Sequence, residues 1–556
     1  MKNLPTFLNY LGLLIIFFIG IDVVATSSLL IFGIKLSALN YPVSLFLACT
    51  LLIFLYKKQL NNSSFIFSIF SLIILTFFIS LLCSNFYDYS WDGNAYHKTA
   101  IGFLANGWNP IIETAKNFAD RVYPLISTTT FIWEESYPKA TWIFGATSYL
   151  FWGNIESGKS YNILMIIAAF SLTFSYLLQK KVDYIYSLFL SLIAAFNPVA
   201  LAQCLSFYVD GFLQLSIYLL CFELLKILIE VNKLEKRVSI VTSAFLMALA
   251  INTKFTGLLF SFFYILFFVF IYFYFTKNLY KTIKISSFFL LSGILSTFWV
   301  GANCYTKNLV LHKNIGYPII GENKIDIIDC NSPFTEVNRL KNLFTSLFSK
   351  LDNFVFDTGR VPEFKIPFTL NHSEIDYLGI VDPRLSGFGL FFSGIFIISL
   401  ILIILFFLRE KQNTRNKFLV LMVLLSTTFF SMILTESWWA RYAPHIYFIV
   451  LLAFCTLYFI NDKKLRNFLV ILFGSLILVN NLAFLYGPLR FIPSNSILIS
   501  QLKQVRNSDV CLTQYSPFPG VLFNFLDSNA KVIKCKTNDG KSEYSLIQYG
   551  TKFKIY

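Results

Sequence analysis

The amino-acid sequence predicts an all-α polytopic membrane protein, a bundle of about thirteen transmembrane helices with amphipathic helices and long loops on its outer face. Three observations predict it. Hydrophobic residues make up 56% of the 556 residues and charged residues only 13%, more apolar surface than a water-soluble fold can hide. Apolar runs of about twenty residues recur along the chain, each long enough to cross a hydrocarbon core of about 30 Å. Basic residues gather in the short connections between the runs. A membrane β-barrel is excluded, because its strands are about ten residues long and alternate in polarity.

Taken in order, the expected spans lie near residues 9–33, 43–56, 63–86, 158–179, 184–203, 211–229, 238–253, 255–276, 284–303, 386–408, 418–436, 443–460 and 467–486. The first run continues to about Phe32 without a small-residue cleavage pattern, so it is expected to remain as an anchor. The stretch "YPKATWIFGATSYLFWG", Tyr137 to Gly153, decides the topology. If it does not span and the N-terminus is cytoplasmic, the cytoplasmic connections hold nineteen lysines and arginines, and the short outer ones only Lys35, Lys254 and Arg441. The stretch is therefore expected to lie on the outer surface or dip into it. The transmembrane domain is then 1–486, with outer loops 87–157 and 305–385, followed by a short outer tail, 487–556. Outer loops of this length usually carry function. The net charge of +15 follows from the same distribution, and no nucleic-acid partner is expected. Zinc spacings, a Walker loop and a dinucleotide-binding glycine motif are missing from the sequence.

The first outer loop opens with "YDYSWDGNAYHKTAIGFLANGWNP", Tyr87 to Pro110. Ser90 is placed to cap a helix starting at Trp91, with Ala95, Tyr96, Thr99, Ala100, Phe103 and Leu104 on one face and Gly107 at its end. That reads as an amphipathic helix at the membrane surface. Asp92 sits in its first turn, where the helix dipole favours the ionised carboxylate, and Asp88 lies one turn earlier. Such a carboxylate either caps the helix or accepts a proton from a hydroxyl. Other charges stand at span ends on the same expected side: Asp210 in "SFYVDGF", Lys254 in "INTKFTG", Arg384 in "DPRLSGFG" and Arg441 in "ESWWARYAP". Charges there are costly if they enter hydrocarbon and are often functional. Carboxylates and cations converging on one face suit a base and a phosphate clamp.

The order of these motifs resembles the GT-C superfamily of membrane glycosyltransferases, which use polyprenyl-phosphate sugars. In layout the chain is similar to the protein mannosyltransferase and lipid A aminoarabinose transferase families. Trp91-Asp92-Gly93 with Tyr96 stands where the family carries an acidic motif, usually Asp-Glu. "YPKATWIFGATSYLFWGNIESGKSYN" stands for its surface helix, with Lys159 where an arginine is common. Asp210 matches a second acidic residue, Lys254 and Gly257 a "K-x-x-G" turn, and Arg441, Tyr442 and Pro444 a late "RY-x-x-P". Two departures stand out: Gly93 follows Asp92 in place of glutamate, and three spans precede the motif, the first two reading as an addition.

The resemblance implies sugar transfer from a polyprenyl-phosphate donor to an extracytoplasmic glycan, lipid or protein, with inversion. Asp92 would be the base, supported by Asp88 and Asp210. Lys254 and Arg441, with Arg384, Lys139 and Lys159 behind them, would hold the phosphate, and Tyr96 and His97 would border the substrate. A divalent cation is left open, since Asp88, Asp92, Asp210 and His97 could meet. Trp91, Trp108, Trp142, Trp438 and Trp439 suit sugar stacking and an interfacial belt equally, and most of them are read as belt residues. The setting implied is the lipid bilayer of a bacterial inner membrane, with the site and the C-terminus outside. The alternatives are an O-antigen polymerase or ligase, and a transporter or flippase. A transporter should carry ionisable residues mid-span, where only Asp22 lies. The outer segments also hold two cysteine pairs that could form disulfides, Cys304 with Cys330 and Cys511 with Cys535.

Overall fold

The computed structural model of the protein describes residues 3–126, 131–321, 324–325, 332–334, 338–353, 361–410, 414–535 and 541–556. It is an all-α polytopic bundle. Among the described residues, nine helices are long and apolar enough to cross a membrane: Leu4–Ile31, Asn62–Ser84, Ile155–Gln179, Asp210–Ile229, Phe255–Thr276, Leu279–Asn303, Phe392–Arg409, Thr414–Ile433 and Lys463–Gln504. The other expected spans coincide with helices that are shorter, Asn40–Tyr56, Tyr184–Ala195 and Pro444–Phe459, or more polar, Lys233–Thr253.

The helix Leu4–Ile31 is the axis of the bundle. Leu13 through Ile19 are almost wholly enclosed, by Tyr161–Gln179, Lys233–Thr253 and the next two helices of the chain. Asp22, the one carboxylate in its middle, accepts hydrogen bonds from Ser44 Oγ at 3.0 Å and Thr147 Oγ1 at 2.8 Å. It ties three chain segments together, as a buried charged or polar group must if it is to be satisfied.

The doubtful stretch forms the helix Ala140–Trp152. Its thirteen residues cover only about 20 Å at 1.5 Å per residue, short of a span. It is enclosed at one end of the bundle, against the helix Lys98–Ala105 and the 3-10 turn Ile155–Lys159. Gly145 and Gly158 make that approach possible, since a Cβ on Gly145 would sit 2.7 Å from the Gly158 carbonyl oxygen.

The opening motif is helical from Trp91 to Ala105, as expected, but it is not a surface helix: Gly93–His97 is π-helical, runs into the α-helix Lys98–Ala105, and every residue from Gly93 to Leu104 is buried. Ala140–Trp152 covers one side. The C-terminal tail covers another: the Gly520 N–H donates to the Asn94 carbonyl at 2.9 Å, and the Phe523 ring lies where a Cβ on Gly102 would be. The tail is a small folded unit rather than a loose extension. Its helix Val521–Asp527 accompanies a four-stranded sheet in the order Lys531–Val532, Asp509–Gln514, Lys552–Ile555, Tyr544–Ser545, with the first pair parallel and the others antiparallel. A Cys511–Cys535 disulfide links its first strand to the segment after its second. Cys304 keeps a free thiol, which donates to the Ser136 carbonyl, and Cys330 lies outside the described residues.

Lys233–Thr253 and Phe255–Thr276 meet at Lys254, and Gly257 permits that turn, because a Cβ there would lie 1.9 Å from the Ala250 carbonyl oxygen. Gly257→Ala should therefore cost about 1–3 kcal/mol through overpacking against backbone. Gly293, in Leu279–Phe298, has nothing within 4 Å of a built Cβ, so Gly293→Ala should leave stability unchanged or slightly raised. Thermal unfolding in detergent compares the two; equal melting temperatures would refute the packing argument.

Candidate functional site

Four segments distant in sequence meet at one end of the bundle around the guanidinium of Arg441. The short turn Ala440–Tyr442, just before the helix Pro444–Thr456, carries it. Arg441 places one nitrogen on each of three carboxylates: Nη2 on Asp92 Oδ2 at 3.1 Å, Nε on Asp210 Oδ2 at 2.9 Å and Nη1 on Asp382 Oδ2 at 2.9 Å. Its plane also lies over the Tyr208 ring at 4.6 Å. Against the opposing effect of burial, Asp210 and Asp382 hold the guanidinium well above its usual pKa.

Each carboxylate is positioned by its own neighbours. Asp210 is the first residue of the helix Asp210–Ile229, where the helix dipole favours an anion. It also pairs with Lys254 and accepts from Gln203 Nε2 at 3.1 Å. Asp382 accepts the Trp439 indole N–H at 2.8 Å, and burial raises its carboxyl pKa against the pull of Arg441. Asp92 is the most open of the three, with 22% of its side chain exposed against 12% for Asp382 and none for Asp210. The Gly93 that follows it has a steric reason: a Cβ there would lie 2.0 Å from Asp88 Oδ2 and 2.1 Å from Ser90 Oγ. The Lys254 ammonium sits 3.6 Å from the Tyr442 ring centroid, and burial lowers its pKa to about 8 in spite of Asp210. Arg384 lies over the Trp439 ring at 4.8 Å.

These groups border a cavity of about 1310 Å³, whose walls include Asp92, Tyr96, Lys254, Asp382, Arg384 and Arg441. Aromatic rings form much of the remainder, among them Tyr89, Trp91, Trp133, Tyr208, Trp438 and Trp439. Apolar side chains also line it: Phe255, Leu258, Leu259, Phe262, Ile315 and Ile319. Phe262 is 60% exposed on the helix Phe255–Thr276, one of the helices long and apolar enough to cross a membrane.

Four expected site residues are elsewhere. Asp88 is buried and structural: it accepts from the Ser90 N–H and Oγ and from the Phe207 N–H. It, not Ser90, organises the start of the motif, and burial raises its pKa. His97 is buried, accepts the Trp142 indole N–H at Nδ1 at 2.7 Å and is held neutral, its pKa lowered by burial to about 3. Lys139 spends its ammonium on the carbonyls of Glu135, Tyr137 and Asn303, and burial lowers its pKa to about 8. Lys159 pairs with Glu156, which also binds Lys98 at 2.6 Å. The tryptophan belt is also corrected. Trp108, Trp142, Trp438 and Trp439 are buried, and only Trp91 is largely exposed. Asp88, Asp92, Asp210 and His97 do not assemble as metal ligands. Among the described residues no three histidine, cysteine, aspartate or glutamate side chains are grouped to hold a metal ion.

Sequence reasoning missed Asp382, although it lies two residues before the Arg384 that was singled out. It also missed Phe491 and Tyr549, which reach the cavity from the tail. Comparison with protein-family models and with curated proteins returns no match to this chain.

Arg441 is buried among three carboxylates, so Arg441→Ala should destabilise the protein by about 3–5 kcal/mol, the usual cost of stranding buried charges. Adding Asp382→Asn removes one stranded charge and should restore part of the loss. Thermal unfolding reads both variants. A double variant no more stable than the single one would assign the effect to packing on Tyr208 instead of charge.

Proposed function

We propose that the protein is a membrane glycosyltransferase that moves a sugar from a polyprenyl phosphate to an extracytoplasmic glycan, lipid or protein. The observation that supports this reading is the Asp92 carboxylate, open to a large cavity that also presents Lys254, Arg384 and Arg441. The apolar lining from Phe255 to Phe262 suits a prenyl chain, and its place in the same cavity as the charged groups suits a lipid whose phosphate sits at the headgroup level. The lysine and arginine bias of a thirteen-span topology supports an extracytoplasmic position for this end of the bundle.

In the reaction, the acceptor hydroxyl oxygen attacks the anomeric carbon. Asp92 takes the hydroxyl proton as the new C–O bond forms. The bond from that carbon to the phosphate oxygen breaks, and polyprenyl phosphate leaves with the electron pair. Attack opposite the leaving group inverts the anomeric centre. Arg441 already has a nitrogen on each of three aspartates, so its part is to hold Asp92 in position. Arg384 and Lys254 then meet the charge that develops on the phosphate.

Asp92→Asn keeps size and removes the base, so transfer from a labelled decaprenyl-phosphate sugar in membranes should fall about 10²–10⁴-fold at normal expression. Transfer at the wild-type rate would remove Asp92 from the chemistry. Lys254 gives a second readout. Its ammonium is present below a pH of about 8 and is lost above it, so kcat/KM should decline as the pH rises through that value, since this ratio reports the free enzyme. Lys254→Arg stays charged to far higher pH and should move the alkaline limb upward. An unmoved limb would assign it to another group.

A further inference from the structure

The cavity rim carries an aromatic array to which distant parts of the chain contribute. Trp91 is 48% exposed and lines the cavity directly before Asp92 in the chain. Its ring meets the Phe518 ring edge-on, with centroids 4.7 Å apart. Phe518 stacks on Tyr549 at 3.8 Å. The Tyr549 hydroxyl donates to the Tyr89 carbonyl at 2.5 Å, and the Tyr89 ring stacks on Phe491 at 4.8 Å and 6°. Tyr89, Phe491 and Tyr549 line the same cavity as Trp91.

Two features of the array point to a ligand. Its side chains are all uncharged, while the cations of the cavity come from other segments. The Tyr89 hydroxyl is buried and has no hydrogen-bond partner among the described residues, a state that a native protein rarely leaves unanswered. Flat aromatic faces match the apolar C–H face of a pyranose ring. Phosphate finds no cation among these side chains.

We propose that the tail, residues 487–556, completes a carbohydrate subsite in which this array binds a neutral sugar ring of the acceptor and turns a hydroxyl toward Asp92. The proposal rests on the transferase reading and adds to it the acceptor's chemical class and the part of the chain that selects it. Phe491, Phe518 and Tyr549 all belong to the tail, so acceptor choice resides there, while donor chemistry resides in the bundle.

The test is calorimetric titration of the full-length protein in detergent with cellotriose, chitotriose and mannotriose, with no donor present. At least one trisaccharide should bind the wild type saturably. Trp91→Ala and Tyr549→Ala should each weaken that binding about tenfold, the scale of one lost aromatic face. Tyr549→Phe keeps the ring and should bind within about threefold of wild type. The proposal is overturned if none of the three sugars binds the wild type, or if Tyr549→Ala binds as well as wild type. It also falls if Tyr549→Phe is as weak as Tyr549→Ala, because the hydroxyl bond that anchors the tail, and not the ring face, would then be responsible. Because the donor is absent, the two readings fail separately. Sugar binding without any transfer from decaprenyl-phosphate sugars would retire the transferase and keep the subsite. Undiminished transfer by Tyr549→Ala would retire the subsite alone.

Discussion

A guanidinium with one nitrogen on each of three aspartates holds the cavity end of this bundle together. Arg441 connects the motif after the third helix, the start of the helix Asp210–Ile229 and the loop before Phe392–Arg409. None of these segments adjoins another in sequence. Each aspartate gains a partner it could not find on its own element, and Arg441 tolerates burial because three anions surround it. Lys254 joins through Asp210, and Trp439 through Asp382. The network contains as many cations as anions when Arg384 and Lys254 are counted with Arg441. A ligand carrying charge into the cavity therefore meets a wall already near neutrality, where position rather than net charge selects it.

The motif around Asp92 shows how backbone and charge are made to agree. Asp88 is surrounded by backbone and hydroxyl donors, which fixes the chain just before the π-helical segment. Gly93 is required by the closeness of that carboxylate. The π segment then carries Tyr96 to the cavity and His97 away from it, toward Trp142. Two carboxylates four residues apart thus have opposite surroundings, one enclosed and one open.

Much of the bundle was legible in the sequence because apolar runs and interspersed lysines record the membrane directly. Asp92, Asp210, Lys254, Arg384 and Arg441 were legible for a related reason: charges at the ends of apolar runs are expensive and stand out. What sequence could not tell was which charges face the cavity. Lys139, Lys159, Asp88 and His97 carry the same signal, yet carbonyls, Glu156, backbone N–H groups and Trp142 consume them inside the fold. Burial of the helix Lys98–Ala105 was hidden too, because its cover comes from Phe523, more than four hundred residues away in the chain. Periodicity within a segment reports which face is apolar and is silent about polar positions that a distant segment will satisfy.

Asp22 bears on how such a chain is assembled. A polytopic chain enters the bilayer segment by segment, and the helix Leu4–Ile31 arrives first. A carboxylate near the middle of an isolated helix costs about 2.5–3.5 kcal/mol on translocon scales. Its first partner, Ser44, follows 22 residues later, but the second, Thr147, follows 125 residues later. Through that interval the carboxylate has at most one of its two hydroxyl partners, so the hydrogen bonding of the first helix is complete only once Ala140–Trp152 has been added to the chain.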